Sequence, residues 1–404
     1  MNYKKNKLYI ENLSVQKIAK KFGTPAYCYS LTKLKNNIKN FKKKFRSINP
    51  LLCFSVKSNS NLSILKEIRK MGMGADVVSK GELAIALKAG INPNKIVFSG
   101  VGKTFEELKL AVNNNILLIN AESESEINQI EKIAKNKNKI INIGLRLNPN
   151  IDSKTHKKIS TGKKEDKFGL TENNFLKVVK KYKNSKNLII NCLSVHIGSQ
   201  ITDYKPYEKM LMVVKSVIKK SNHNFEYIDL GGGMGIKYNK NAKELNYARY
   251  NLILKNFLKN YKAKIIFEPG RSIIGDTALL LTKVLYIKKT NSINFIILDS
   301  GMNDLMRPAL YGAKHEIVAS TKNRNILRKK HDFVGPICET ADKFLSVNKF
   351  QYLKEKDLLA ICDVGAYGMV LSSNYNLRTK PSEILIYKSS SKLINKRQKL
   401  INII

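Results

Sequence analysis

Lys57 closes an apolar run, Leu52-Cys53-Phe54-Ser55-Val56, and is followed by Ser58-Asn59. Desolvating an ammonium is costly, so a lysine at the end of a buried strand either snorkels into water or is kept unprotonated by its site. In the second state it is a nucleophile for a carbonyl carbon. Other residues with chemical capacity stand at comparable places, each at or after the end of a β-forming run. Asp76 closes one, with Glu82 shortly after; Arg146 lies on another; His196 ends a third and continues as Ile197-Gly198-Ser199-Gln200. Asp229 leads into Leu230-Gly231-Gly232-Gly233-Met234-Gly235, and Glu268 into Pro269-Gly270-Arg271. The glycine run offers backbone N–H groups at a strand-to-helix turn, suited to an anionic phosphate, and Gly270 with Arg271 can add an N–H and a bidentate guanidinium. It does not fit the dinucleotide fingerprint G-x-G-x-x-G. Any one of these residues could be a satisfied core group or a structural ion pair. Their recurrence at strand ends is the signal.

The elements that would position them alternate. Strands are predicted at Leu52–Val56, Gly74–Val78, Lys95–Phe98, Leu117–Asn120, Ile141–Leu147, Leu188–His196, Tyr227–Leu230 and Lys264–Glu268. Between them lie helix-period segments at Leu62–Lys70, Lys80–Ala89, Thr104–Asn113, Ser123–Ala134, Glu172–Tyr182, Tyr204–Lys220 and Lys243–Asn260. Eight such repeats predict an α/β chain with a (β/α)₈ TIM-type barrel, whose catalytic groups lie at the carboxyl ends of its strands; an open doubly wound sheet is the alternative. After about Arg271 the rhythm turns β-rich, with strands expected at Leu279–Lys288, Phe295–Leu298, Ile317–Ala319, Asp332–Val334, Leu358–Cys362 and Glu383–Tyr387. The expected division is a barrel over 26–275 and a second, C-terminal β-rich domain over 276–404, joined by 1–25. The basic tail Ser389–Ile404 reads as an exposed helix.

The chain has 404 residues, 43% hydrophobic, with no apolar run near the roughly 18 residues that span a bilayer. No apolar segment follows the basic N-terminus, and the five cysteines are scattered, so free thiols in a reducing cytoplasm are expected. Lysine and arginine number 73 against 31 acidic residues, a net charge of +42. A nucleic-acid footprint would be clustered and interleaved with aromatics, whereas these lysines decorate nearly every helix. No specific nucleic-acid partner and no membrane are expected.

Six stretches carry a resemblance to the fold-type III, pyridoxal-phosphate-dependent amino-acid decarboxylases: Phe54-Ser55-Val56-Lys57-Ser58-Asn59, His196-Ile197-Gly198-Ser199-Gln200, Gly231-Gly232-Gly233, Glu268-Pro269-Gly270-Arg271, Gly335-Pro336-Ile337-Cys338-Glu339 and Asp363-Val364-Gly365-Ala366-Tyr367. Leu305-Met306-Arg307-Pro308-Ala309-Leu310-Tyr311 and Lys154-Thr155-His156…Ser160-Thr161-Gly162…Lys167-Phe168-Gly169 narrow it to the diaminopimelate decarboxylases. The resemblance runs in order over nearly the whole chain; Lys80 departs from it, standing where relatives carry glycine.

The resemblance implies conversion of meso-2,6-diaminopimelate to L-lysine and CO₂ with pyridoxal 5'-phosphate as cofactor. Lys57 would hold the cofactor as a Schiff base, Glu268 would face its pyridine nitrogen and His196 would stack on its ring. Ser199, Gly232, Gly233, Gly270, Arg271 and Tyr367 would hold the phosphate. Asp76 and Glu82 would orient the Lys57 and pyridine surroundings and Arg146 would buttress His196, or each would form a structural ion pair. Cys338, delivered with Glu339 from the partner subunit, would act as the proton donor, which implies a homodimer with composite sites. Arg271, Arg307 and Tyr311 would bind the distal carboxylate, Glu339 the distal ammonium, with Tyr367 beside them. A decarboxylase for ornithine, arginine or a polyamine precursor is the alternative of the same fold; a racemase and a silent cofactor carrier are weaker ones. No metal is expected.

Overall fold

The computed structural model describes residues 1–153, 157–159, 161–238 and 241–404, leaving aside the side chain of residue 157. The stretch Lys154-Thr155-His156 and Ser160 therefore lie outside the described residues. The chain divides into two compact units, one of residues 38–236 with 243–272 and the other of residues 1–37, 237–242 and 273–404.

The first unit is a closed barrel of eight parallel strands in chain order: β1 Leu51–Ser55, β2 Gly74–Val77, β3 Ile96–Phe98, β4 Leu118–Ala121, β5 Ile141–Arg146, β6 Leu188–Ser194, β7 Tyr227–Asp229 and β8 Lys264–Phe267. Each predicted strand is present with ends moved by one or two residues, and β8 closes the ring by pairing Phe267 with Leu52. The open-sheet alternative is thereby excluded. Strands covered on both faces need apolar residues throughout, and Cys53, Val97, Leu118, Cys192 and Ile266, all fully buried, form one core cluster. The intervening helices begin where side chains can satisfy their free N–H groups. Ser79, Ser123 and Thr171 accept from Glu82, Glu126 and Asn174, and Thr104 with Glu107 makes a reciprocal capping box. Lys80 opens the helix Lys80–Lys88.

The expectation for the glycine run is corrected. The helix after β7 spans Tyr247–Leu258, so Gly231–Gly235 lie in a long irregular loop and not at a strand-to-helix turn. It is Arg271, directly after Gly270, that opens a short helix, Arg271–Ile274.

The second unit is built on a sheet whose main path runs Lys343–Val347, Lys330–Val334, Ile293–Leu298, Ala278–Lys289, Ala26–Ser30, Ser382–Tyr387, Ser390–Asn395; Leu358–Cys362 also pairs with Ala278–Lys289 and with Ile317–Ala319. Ala26–Ser30, placed by sequence in the barrel domain, instead lies between Ala278–Lys289 and Ser382–Tyr387, buried at every residue. A short strand buried on both faces carries no periodicity to say which sheet it joins. Leu8, Ile10, Val15, Ile18, Ala26, Cys28, Leu279, Leu281, Ala360, Ile384 and Ile386 form its core. The tail is the other correction: Ser390–Asn395 is a strand paired with Ser382–Tyr387, followed by a single turn at Leu400–Asn402. Lys388 takes φ +53°, closing a hairpin that turns Ser390–Asn395 back along its neighbour. Among the described residues no helix is long and apolar enough to cross a membrane.

Candidate active site

The carboxyl ends of the barrel strands carry a buried polar layer where the rest of each strand is apolar. Ser55 ends β1, Asp76 lies near the end of β2, Ser99 follows β3, Asn120 lies near the end of β4, and Arg146, Ser194 and Asp229 end β5, β6 and β7; Glu268 follows β8. A cavity of about 410 Å³ opens over them, lined by Lys57, Ser99, Arg146, Ser194, His196 and Glu268 among others. That volume lies in the range of about 300–1,000 Å³ usual for small-molecule sites.

Lys57 sits in the single 3₁₀ turn Val56–Ser58 that follows β1, and its Nζ is 2.9 Å from Oδ2 of the fully buried Asp76. Ser55 Oγ donates to the same oxygen at 2.8 Å, fixing the carboxylate. Glu82 accepts from the Val78 N–H at 2.9 Å, and burial together with Asp76 pushes its pKa up to about 7, against the pull of that hydrogen bond.

Around Glu268 the layer becomes a network. Asn120 Nδ2 donates to Asp229 Oδ2 at 2.9 Å, Ser194 Oγ to the same oxygen at 3.3 Å, and the Gly231 N–H to Asp229 Oδ1 at 2.9 Å. Ser99 Oγ donates to Glu268 Oε1 at 3.4 Å, and Asp229 and Glu268 hydrogen-bond each other. Burial, then the charges of Asp229 and Asp76, hold the Glu268 carboxyl well above the usual carboxylate range, while Lys57 opposes them. Burial also raises Asp229. Two adjacent buried carboxylates cannot both ionise, so the pair retains a proton.

His196 is neutral for related reasons: burial, then the positive charges of Arg146 and Lys57, hold its pKa well below the ordinary imidazole value. Its Nδ1 accepts from the Gly232 N–H at 3.2 Å. Arg146 is paired with Glu122, Nη1 to Oε1 at 2.7 Å, and its guanidinium lies 4.7 Å from the Phe168 ring centroid. Glu122 also accepts from the Gly100 and Gly169 N–H groups at 3.1 and 3.0 Å.

The glycine run packs so closely that side chains are excluded. A Cβ on Gly232 would lie 2.3 Å from the Glu268 carbonyl oxygen, and one on Gly231, at φ +61°, 2.4 Å from His196 Nδ1. Gly270 faces Ser58 with similar tightness, and Arg271, buried, donates from Nη2 to Ser199 Oγ at 3.1 Å. Thus Lys57, Asp76, Glu82, Arg146, His196, Ser199, Gly232, Gly233, Glu268, Gly270 and Arg271 all belong to the barrel unit.

The remaining predicted residues belong to the sheet unit. Arg307 and Tyr311 are the first and last residues of the short helix Arg307–Tyr311, and Arg307 is buried. Its Nη1 lies 2.7 Å from His315 Nε2. Cys338 and Glu339 are exposed in the turn between Lys330–Val334 and Lys343–Val347. Asp342 organises that turn: its carboxylate accepts from the Ile337 and Met302 N–H groups, each at 2.7 Å. Glu339 Oε1 accepts from the Tyr375 hydroxyl. Tyr367 is half-buried at φ +57°.

Sequence reasoning singled out Asp229 by its strand-end place without a role, and passed over Asn120, Ser194, His315 and Asp342. Asn120 and Ser194 had a readable signal, a polar residue near the end of an otherwise apolar strand. His315 and Asp342 lie in irregular segments where only contact identifies them.

The chain is similar to known proteins over nearly its whole length. A family described as "Pyridoxal-dependent decarboxylase, pyridoxal binding domain" matches residues 31–275. The diaminopimelate decarboxylase of Aquifex aeolicus is 41% identical over 98% of this chain and 95% of its own length. The structure of diaminopimelate decarboxylase from Helicobacter pylori complexed with L-lysine is 40% identical over 96% of this chain and 98% of that one, with a TM-score of 0.91. That of the M. jannaschii enzyme, also in complex with L-lysine, is 34% identical over 100% and 96%, with a TM-score of 0.94. Shared fold and full-length similarity converge, and the chain belongs to the pyridoxal-dependent decarboxylases, in the diaminopimelate decarboxylase family.

Proposed function

We propose that the chain decarboxylates meso-2,6-diaminopimelate to L-lysine and CO₂ with pyridoxal 5'-phosphate. The observation that carries this reading is the cavity in which the Lys57 amine, the neutral His196 ring and the Glu268 carboxyl, held well above the usual carboxylate range, face one space. The residues present fit the cofactor: an amine beside a buried carboxylate suits its aldehyde, a protonated carboxyl its pyridine nitrogen, and a loop too tight for any Cβ its phosphate. Lys57 would hold the aldehyde, His196 lie on the ring, Glu268 face the nitrogen, and Ser199, Gly232, Gly233, Gly270, Arg271 and Tyr367 take the phosphate. When bound, the group supplies an electron sink for the pair left on carbon as a carboxylate departs.

The protein's share is binding, orientation and proton placement. Asp76 and Ser55 fix where the Lys57 amine points. Glu268, whose carboxyl burial and the nearby Asp229 and Asp76 hold well above the usual carboxylate range, would face the ring nitrogen and keep a proton at that place. The C–C bond to the departing carboxylate breaks, CO₂ leaves, and the electron pair stays on carbon. A proton from Cys338 Sγ then forms the new C–H bond, with one proton taken up from solvent per turnover. Cys338 and Glu339 reach the site from a second copy of the chain in a homodimer; their exposure in a turn stiffened by Asp342 supports this. Arg271, Arg307 and Tyr311 bind the carboxylate that is retained, and Glu339 the ammonium beside it. An arginine pair taken out of water discriminates strongly against substrates that lack the matching anion.

The test is CO₂ release from meso-diaminopimelate, L-ornithine and L-arginine by the purified holoenzyme. Release from diaminopimelate alone is expected; a preference for ornithine overturns the substrate assignment.

A further inference from the structure

We propose that His315 is a positioning residue for substrate-carboxylate recognition, its neutral imidazole holding the Arg307 guanidinium in the plane the carboxylate needs. The inference rests on the reading of Arg307 as a binder of the retained carboxylate, and it names what sets that arginine's geometry.

The two ring nitrogens of His315 have unambiguous roles. Nδ1 lies 2.8 Å from the carbonyl oxygen of Cys362, which can only accept, so Nδ1 carries the hydrogen. Nε2 lies 2.7 Å from Arg307 Nη1, which can only donate, so Nε2 presents its lone pair. A doubly protonated ring would set N–H against N–H and place two cations side by side. Both side chains are buried, His315 at 1% and Arg307 at 5% exposure, so water cannot substitute for either partner.

The arrangement is held from a second direction. The Arg307 guanidinium carbon lies 4.7 Å from the Tyr238 ring centroid, and the same ring meets His315 edge-on at 5.3 Å. A guanidinium fixed at one nitrogen and across one face has a defined plane, the requirement for bidentate carboxylate recognition. The carbonyl that anchors His315 is that of the last residue of the strand Leu358–Cys362, so the orientation is referred to the sheet and not to the short helix carrying Arg307.

Two substitutions separate positioning from support. A glutamine side chain reaches the place of Nε2 and can accept from Arg307. An asparagine reaches only the place of Nδ1, retaining the bond to Cys362 and losing Arg307. Calorimetric binding of L-lysine, which keeps the carboxylate, and of cadaverine, which lacks it, is measured on the holoenzyme. His315→Asn is expected to weaken L-lysine roughly 10- to 100-fold, the range for losing a hydrogen bond to a charged group, with cadaverine unchanged. His315→Gln is expected to restore most of the L-lysine affinity. Equal L-lysine affinity in His315→Asn and wild type, with Arg307→Ala weakened, overturns the role of His315 and leaves that of Arg307 standing. Unchanged L-lysine affinity in Arg307→Ala overturns the assignment of Arg307 itself.

Discussion

The barrel and the sheet unit arrive at chemical capacity by different routes. In the barrel, polar residues come one per strand at equivalent positions, and closure of the ring brings Lys57, Asp76, His196, Asp229 and Glu268 together. In the sheet unit the candidate residues stand on a short helix and in two turns, held by local contacts such as Asp342 with Ile337 and Met302, or His315 with Arg307. The barrel groups are mostly buried and their protonation is set by one another; Cys338 and Glu339 are exposed. A buried set of coupled carboxylates suits holding and tuning a cofactor, whereas an exposed thiol on a stiff turn suits delivering a proton.

The contrast is broken most directly by Lys57→Ala. Activity is expected to fall to background, together with the visible absorbance of the bound cofactor; retention of that band would show that the cofactor is held elsewhere. Cys338→Ala is expected to act on the other side only, lowering kcat by about 10²–10⁴-fold with the cofactor retained, as for loss of a positioned acid. An unaltered rate in single-turnover measurements removes it as the donor. Gly232→Ala probes the barrel's tightness: its Cβ meets the Glu268 carbonyl oxygen at 2.3 Å, in backbone that cannot yield cheaply. A loss of about 1–3 kcal/mol in denaturant unfolding is expected, with weaker cofactor binding by absorbance titration.

The smallest effect lies in the sheet unit. Asp363 has its pKa raised to about 7 by burial and by Asp276 and Glu316, against Lys33. An acid raised in the folded state costs no stability below its unfolded value of 3.8; the cost grows as pH rises and is complete above about 7. Asp363→Asn, which also tolerates the φ of +58° there, is expected to raise Tm by about 2 °C at pH 8 and to leave it unchanged at pH 4. A rise at both pH values would assign the gain to the backbone and not to the charge.

Legibility followed the same division. Strands covered on both faces leave apolar runs of recognisable length, and helices leave a 3.6-residue rhythm with Ser and Thr at their starts, so the eight repeats could be read in order. Strand-end position then singled out Lys57, Asp76, His196 and Glu268 as candidates. Ala26–Ser30 could not be assigned to a sheet, because its neighbours come from residues 278–289 and 382–387, far along the chain. The tail strand Ser390–Asn395 failed for a related reason: its two serines and Lys392 read equally well on an exposed helix until a partner strand is present.

By itself, then, the order of residues determined the repeating architecture and which side chains stand at strand ends, since both follow from local periodicity and from the need to keep buried strands apolar. Tertiary structure alone decided the protonation of Glu268, His196 and Asp363 and the orientation of Arg307. Those depend on how many charges and hydrogen-bond partners share a space closed to water, and the chain acquires that arrangement only when it is folded.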